Sequence, residues 1–467
     1  MTNTTTTHEK PDVEVYDKPQ DERKESYDEE RTIDQHPNAA SKQDAEDESD
    51  LKAEREATRA AISQPSADDD FPDGGWRAWL VVFGTMSATF STFGYVNTWG
   101  VFQAYYEETI LKDSSPSNIA WIGSIQYSLV FVPGLVTGRM FDRGYFKVPL
   151  FAASCLLVVA TFLVAECTQY WQFLLCQGFA IGLGCGTIFG PCMGISSHWF
   201  KKRRGIALGL QAVGSSIGGT VFPIAAKRLI GEVGFPWTMR IIGFILIVTL
   251  GAANLTLKRR LPPSNSAGGM LNLAAFKNLG YTVWCISGFV AFLGLYTVLT
   301  YIDVSAVSVG VDPDFSFYLI SIANAASGFG RIGAGFAADR FGAINVMAPA
   351  TLLAGLLTFV WPLARTRGSL VAVAIIYGFG SGAYVSLCAV PMIAFGEMHD
   401  VGRRVGMAMT ILALGALAGP PISGAINNAT GGFRAVGFYA GSMVIFSVIL
   451  MIVSRQLHLG WKLKGKF

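Results

Sequence analysis

The sequence predicts an all-α integral membrane protein of twelve transmembrane helices, arranged as two six-helix bundles that repeat in parallel. Three observations carry this. The 467 residues are 51% hydrophobic and only 15% charged, with a mean hydropathy of +0.39, whereas soluble domains carry about 25% charged residues. Apolar segments near the roughly 20 residues that span a bilayer recur along the chain after Trp76. Short charged motifs of the first half reappear in the second at a nearly constant offset.

The chain opens on a segment of a different kind. Residues 1–72 hold nine Lys/Arg against 21 Asp/Glu, a net of −12, which leaves +14 on the rest. So few large apolar groups cannot offset the entropy of ordering, and the stretch reads as a disordered acidic tail on the cytosolic side. It lacks an apolar core behind a basic start, so it is not read as a signal peptide. The segment Pro72–Trp79, PDGGWRAW, marks the change from tail to membrane.

Spans are expected near 78–100, 117–137, 148–166, 171–193, 205–226 and 237–257, then near 280–303, 315–338, 346–364, 369–393, 406–426 and 434–454. The division is then a bundle at 73–257, a polar cytosolic linker at 258–277, a second bundle at 278–455 and a cytosolic tail at 456–467. Placing both termini in the cytosol puts 19 Lys/Arg of the loops and span ends inside and seven outside, as the positive-inside rule requires. The basic excess is thus read as topology. A nucleic-acid partner is not expected, because the run Lys201–Arg204 is hemmed between two spans.

The repeat is visible in four markers. GRMFDRGYFK (138–147) and GFAADRFGAIN (335–345) share Gly-x-x-x-Asp-Arg, with Asp142 and Asp339 separated by 197 residues. Arg203-Arg204 recur as Arg403-Arg404, and Gly214 and Gly218 as Gly415 and Gly419, at offsets of 200 and 201. Two six-helix units related about an axis along the membrane normal are the major facilitator arrangement, and the Asp-Arg loops resemble the signature of that superfamily. Within it, Asp73-Gly74-Gly75-Trp76 with Trp79 resembles the opening motif of the monocarboxylate transporter (monocarboxylate porter) family. HWFKKRRGIALGLQAVGSSIGG (198–219) is similar to that family's second signature. The resemblance covers about 73–455 and is nearest to the fungal branch, whose members tend to carry long acidic N-termini.

The resemblance implies a secondary transporter working by alternating access, with Asp142, Arg143, Asp339 and Arg340 in a cytosolic gate that pairs with neighbouring helix ends. For the two arginines, plain topology signals are an equal reading. The chain also departs from the family. In its proton-coupled animal members a lysine late in the first span and an Asp-x-x-x-Arg pair in the eighth carry proton and carboxylate. Here those positions hold Asn97 and Ser327, with only Arg331 retained. Proton–lactate symport is therefore not implied.

Arg331 is the sharpest candidate for substrate binding. It lies eight residues before Asp339, about 12 Å into the membrane at 1.5 Å per residue. An arginine there faces a bundle interior or a wet cavity, where it attracts an anionic or polar solute; the alternative is a structural arginine that bonds carbonyls or snorkels. Asn324 and Ser327 share its helical face at spacings of three and four. Asn97 and Gln211 complete the expected binding set, although helix packing explains Gln211 equally well, and explains Asn97 together with Gln126, Tyr127, Gln177 and Tyr384 better than binding does. Asp303, near the outer end of the seventh span, has no local partner in the sequence and is either an interfacial residue or an outer acid with a binding role.

Several chemistries find no support. The seven cysteines lie in or beside apolar runs without CxxC spacing and the five histidines outside them, so no metal site is expected, nor any cofactor. The glycines at 182, 184, 186 and 190 stand in an apolar span with no preceding strand, so they read as close helix packing rather than a nucleotide loop. No nucleophile–base pair emerges, and the protein is not expected to be an enzyme. The expected partners are a small solute, anionic if Arg331 binds it, and the lipid bilayer, with no obligate protein partner; the membrane is taken as the plasma membrane. Efflux or facilitated transport of an organic acid or secondary metabolite is the favoured role. Uptake of riboflavin, a vitamin-like solute or a monocarboxylate is the alternative, and a solute receptor built on a transporter scaffold is a more distant one.

Overall fold

The computed structural model describes residues 71–263, 269–462 and 465–467. Nearly all of the acidic tail, linker residues 264–268 and Lys464 lie outside the described residues. Among the described residues the chain is helical, with no strand.

Among the described residues, ten helical segments are long and apolar enough to cross a membrane. Four of them are α1 (Trp76–Ile110), α2 (Asn118–Asp142), α3 (Lys147–Val164) and α4 (Tyr170–Ser197). The next is a 53-residue helix, Arg204–Thr256, that makes two spans. Gly234, at φ 80° and ψ 164°, leaves the helical region there, a conformation that glycine takes without steric cost. Its arms are α5 (204–233) and α6 (235–256). After α7 (Leu279–Ser308) comes α8 (Pro313–Phe341). The remainder are α9 (Ala343–Leu363), α10 (Arg367–Ala394), α11 (Met398–Thr430) and α12 (Phe433–Leu459).

α8 is not among those ten, since Asp314, Arg331, Asp339 and Arg340 interrupt its apolar run. Counting α8 and both arms of the 53-residue helix gives the twelve expected spans. Several boundaries move. Residues 227–233, expected in a loop, continue α5, since nothing before Gly234 breaks the helix. α1 runs on to Ile110, past its expected end, by starting a new helical stretch at Trp99.

The first span of each half is interrupted at the same point. α1 breaks at Asn97-Thr98, and α7 at Leu295-Tyr296. Gly94 precedes one break and Gly294 the other, 200 residues on. A π-helical turn at Phe90–Gly94 leads into the first break, a feature common at functional sites.

Burial is arranged for a lipid surround. Phe151, Phe244, Val248, Leu255, Phe329 and Phe336 are exposed, while Asn324, Ser327, Arg331, Gln126, Gln177 and Gln211 are buried. In bilayer, polar groups must be satisfied inside the protein and apolar ones can face out. α8 shows both faces: Phe329 and Phe336 outside, Asn324, Ser327 and Arg331 inside.

The halves meet where α2 packs on α11 and α8 packs on α5. Glycines make both contacts close. A Cβ on Gly138 would run into the Gly402 carbonyl, and one on Gly205 would lie 2.6 Å from the Gly335 carbonyl oxygen. Small residues of this kind let backbones approach without a hydrophobic drive between helices.

Candidate functional site

A cavity lies between the halves, lined by residues of α1, α5, α7, α8 and α10. Its polar wall is Asn97, Ser215, Asn324, Ser327, Arg331 and Ser381. The free volume is about 30 Å³, room for water but not for an organic solute. Interrupted helices supply its corners, for Asn97 sits at the break in α1 and Tyr296 at the break in α7.

Arg331 is 6% exposed. Its Nε donates to Ser327 Oγ at 3.1 Å, and its Nη1 donates to Ser215 Oγ and to the Ala212 carbonyl. These partners are all neutral, and no carboxylate pairs with it among the described residues. Asn324 donates from Nδ2 to the Gly219 carbonyl at 3.2 Å. Asn97 stands beside the same glycine, whose missing Cβ would lie 2.8 Å from Asn97 Nδ2. The structure therefore brings together Asn97, Asn324, Ser327 and Arg331.

Gln211 is elsewhere. It accepts from Ser196 Oγ at 2.8 Å and faces Met193, tying α5 to α4. Asp303 is not without a partner, as the sequence suggested: it accepts a hydrogen bond from Ser316 Oγ at the start of α8. That partner lies 13 residues away across a turn, so local sequence could not show it.

The cavity borders an aromatic cluster drawn from both halves. Phe93 meets Phe131 at 5.4 Å and Phe189 at 4.6 Å between ring centroids. Across the midline Phe131 meets Phe292 at 5.5 Å, and Tyr127 meets Tyr296 at 5.4 Å. Tyr384 extends the cluster from Phe292. Edge-on and tilted pairs are the favoured arrangements for rings, so the cluster is a stiff apolar wall beside one guanidinium. Of the other residues left open, Gln177 accepts from the Tyr106 hydroxyl at 2.5 Å and serves packing within the first half.

At one end of the molecule two carboxylates bridge the halves. Asp142, the last residue of α2, accepts from the backbone N–H groups of Gly402 and Arg403, both at 2.9 Å. Asp339 accepts from Gly205 at 2.6 Å and Ile206 at 3.0 Å. These donors open α11 and α5, where first-turn N–H groups lack internal partners and the helix dipole favours negative charge. The acids are 197 residues apart, and so are Gly205 and Gly402. Each half thus caps a helix of the other. Arg143 and Arg340 are exposed and take no part in the caps.

The sequence reading missed what backs the Asp142 cap. Asp400 is buried, pairs with Arg403 and accepts from Asn272 Nδ2 at 2.6 Å. Arg404 lies 3.8 Å from Asp400 and donates to the Glu397 carbonyl at 2.8 Å. Asp400 stands three and four residues before the two arginines, a helical ion-pair spacing legible in the sequence. Ser215 carried no signal, since its value lies in facing Arg331 across α5 and α8.

The opening motif is part of the same end. Asp73 Oδ1 accepts from the N–H groups of Lys201 and Lys202 at 2.7 Å and of Arg203 at 3.2 Å, and its own N–H donates to the Trp199 carbonyl at 3.1 Å. Trp79 packs on Phe200 at 5.0 Å, while Trp76 is exposed. The two motifs at 73–79 and 198–219 are thus one structural unit at the start of α5.

A family model described as Major Facilitator Superfamily matches residues 81–389 and 284–465. The chain belongs to the major facilitator superfamily. It is 37% identical over 416 residues to "MFS-type transporter 1" of Ophiocordyceps sp. (strain BCC 1869), covering 88% of this chain and 92% of that protein. It is 34% identical over 421 residues to the "Aspyridones efflux protein apdF" of Emericella nidulans, covering 89% and 86%. Among solved structures it is similar to the major facilitator superfamily transporter FucP in the outward conformation, with a TM-score of 0.64 at 15% identity over 81% of this chain and 99% of that one. Superfamily membership makes this a multi-pass membrane transporter for small-molecule solutes.

Proposed function

We propose that the protein exports a small organic anion with a conjugated or aromatic body, of the secondary-metabolite kind, by alternating access at the Arg331 cavity. The observation that carries this is the Arg331 guanidinium, a full charge within the spans held only by neutral oxygens. A buried cation is costly unless an anion or water compensates it, and an arriving carboxylate supplies that charge in bidentate form, an enolate through one oxygen. The aromatic wall beside it suits a flat, apolar body. Export as the direction rests on the relative named as an aspyridones efflux protein.

The rocking bodies are the bundles at 73–257 and 278–455. Asp142 and Asp339 close one end by capping α11 and α5, and their release opens it. That end carries most of the Lys/Arg, which supports a cytosolic placement with both termini inside and is consistent with residence in the plasma membrane. The contact between the 73–79 and 198–219 motifs supports membership in the monocarboxylate porter branch. Asn97 and Ser327 in place of its charged residues leave the cavity without an acid among the described residues, so coupling to protons through that pair is not part of the proposal.

The test is export from intact cells. Cells expressing the protein should hold less of an aromatic or enolic acid inside, relative to the medium, than cells without it. Arg331→Ala should abolish that difference while the protein reaches the membrane. Unchanged export by a correctly folded Arg331→Ala protein would sink the reading.

A further inference from the structure

On the same basic end, but outside the path between the halves, lies a pocket of about 400 Å³. Arg77 at the start of α1, Lys147 at the start of α3, and Lys258 and Arg259 just after α6 line it with Gly144, Phe146 and Leu257. Four cations and no carboxylate meet there, and none of the four pairs with an acid among the described residues. Lys147 donates to the Asn254 carbonyl at 2.5 Å. Arg259 donates from Nη2 to the Pro262 carbonyl at 3.0 Å and to the Asp142 carbonyl at 3.4 Å. Its Nε and Nη1 are buried with no hydrogen-bond partner among the described residues.

Three of the four cations stand within two residues of a span end, so the pocket opens at the level of lipid headgroups. Neighbouring exposed apolar groups, Val148 and Phe151 on α3 and Leu255 on α6, offer a path for acyl chains beside it. Like charges gathered in one recess repel each other unless an anion joins them, and clustered ammonium and guanidinium groups fit phosphate oxygens. Basic pockets between spans on the cytosolic side suit phosphorylated lipid heads.

We infer that this pocket is a binding site for the phosphorylated headgroup of an anionic membrane lipid, of the phosphatidylinositol phosphate class. The side of the membrane rests on the orientation proposed above; the site itself does not depend on the transported solute. Arg259 also touches the carbonyl of Asp142, the residue that caps α11. Lipid occupancy therefore bears on the closed gate.

The experiment uses the purified full chain in phosphatidylcholine nanodiscs with and without phosphatidylinositol phosphate, and reads retained lipid by native mass spectrometry. Wild-type protein should keep the phosphorylated lipid in preference to phosphatidylcholine. Lys147→Gln with Arg259→Gln should lower retention by about 30-fold, as two lost cations near the surface imply, whereas Lys277→Gln, an exposed cation on the linker, should leave it unchanged. If the double variant does not fold, Arg77→Gln with Lys258→Gln repeats the measurement on two exposed side chains. Equal retention by wild type and a folded pocket variant overturns the inference. So does displacement of the lipid by inorganic phosphate at comparable concentration, which would assign the pocket to a soluble anion. Transport of an organic acid is measured separately, so its failure does not touch this result.

Discussion

The two halves agree at one end and differ in the middle. At the gate, Asp142 and Asp339 make the same pair of backbone hydrogen bonds to partners that are themselves 197 residues apart. In the cavity the repeat fails. Arg331 corresponds at that offset to Gly134, whose role is close packing against Gly406 and Gly190. Asn324 corresponds to Tyr127, and the interruption in α1 carries Asn97-Thr98 where that in α7 carries Leu295-Tyr296. Motions that both halves share need matched caps; recognition of one unsymmetrical solute needs a single cation on one side and rings on the other. In the proposed transport cycle, the difference separates the machinery that moves from the surface that chooses.

The caps are not equal in their surroundings. Asp142 is buried and backed by the Asp400, Arg403 and Arg404 cluster. Asp339 is partly exposed, and its carbonyl is met by the Lys466 ammonium near the end of the chain. The buried cap loses more when its charge is removed, since solvent cannot replace it.

The sharpest way to break the comparison is at Arg331. Arg331→Ala should lower export by about 100-fold, as loss of a charged hydrogen-bonded contact of roughly 3 kcal/mol implies, with Arg331→Lys intermediate because it cannot form a bidentate pair. Next comes Asp142→Asn. Losing the charged cap should favour the open gate by about 1–2 kcal/mol, read as faster labelling of a cysteine placed in the cavity from the side of the caps. Asp339→Asn should do the same by a smaller factor, and an equal or larger effect would contradict the ranking. Asp73→Ala removes the acceptor of three amides, and thermal unfolding in detergent should fall by an amount matching about 1 kcal/mol with the solute preference unchanged. The smallest effect belongs to Gln211→Ala, which should weaken the α4–α5 contact but leave export within about twofold; a collapse of export would return Gln211 to the binding site.

Much of the scaffold could be read from the chain because bilayer length and the 197–201 residue repeat leave few alternatives. α8 is legible as an apolar segment near 315–338 despite its charges, and the repeat of the Asp-Arg loop supports it. The continuation of α5 to Gly234 is not legible, because Lys227, Arg228 and Glu232 interrupt the apolar run and read as a loop. Asn97, Ser327 and Arg331 were legible as a set through family positions and helical spacing. Ser215 and the ring wall were not, because they are made by contacts between α5 and α8 and across the midline, which no local pattern encodes. Gln211 shows the converse, a polar residue in a span whose hydrogen bonds serve packing.

The most direct measurement compares the ratio of intracellular to external concentration for an aromatic organic acid and for its neutral ester in cells expressing wild-type or Arg331→Ala protein. Wild-type cells should deplete the acid and leave the ester near equilibrium, and the variant should treat the two alike. Equal handling of acid and ester by the wild type, or undiminished export of the acid by a folded Arg331→Ala protein, would contradict the account.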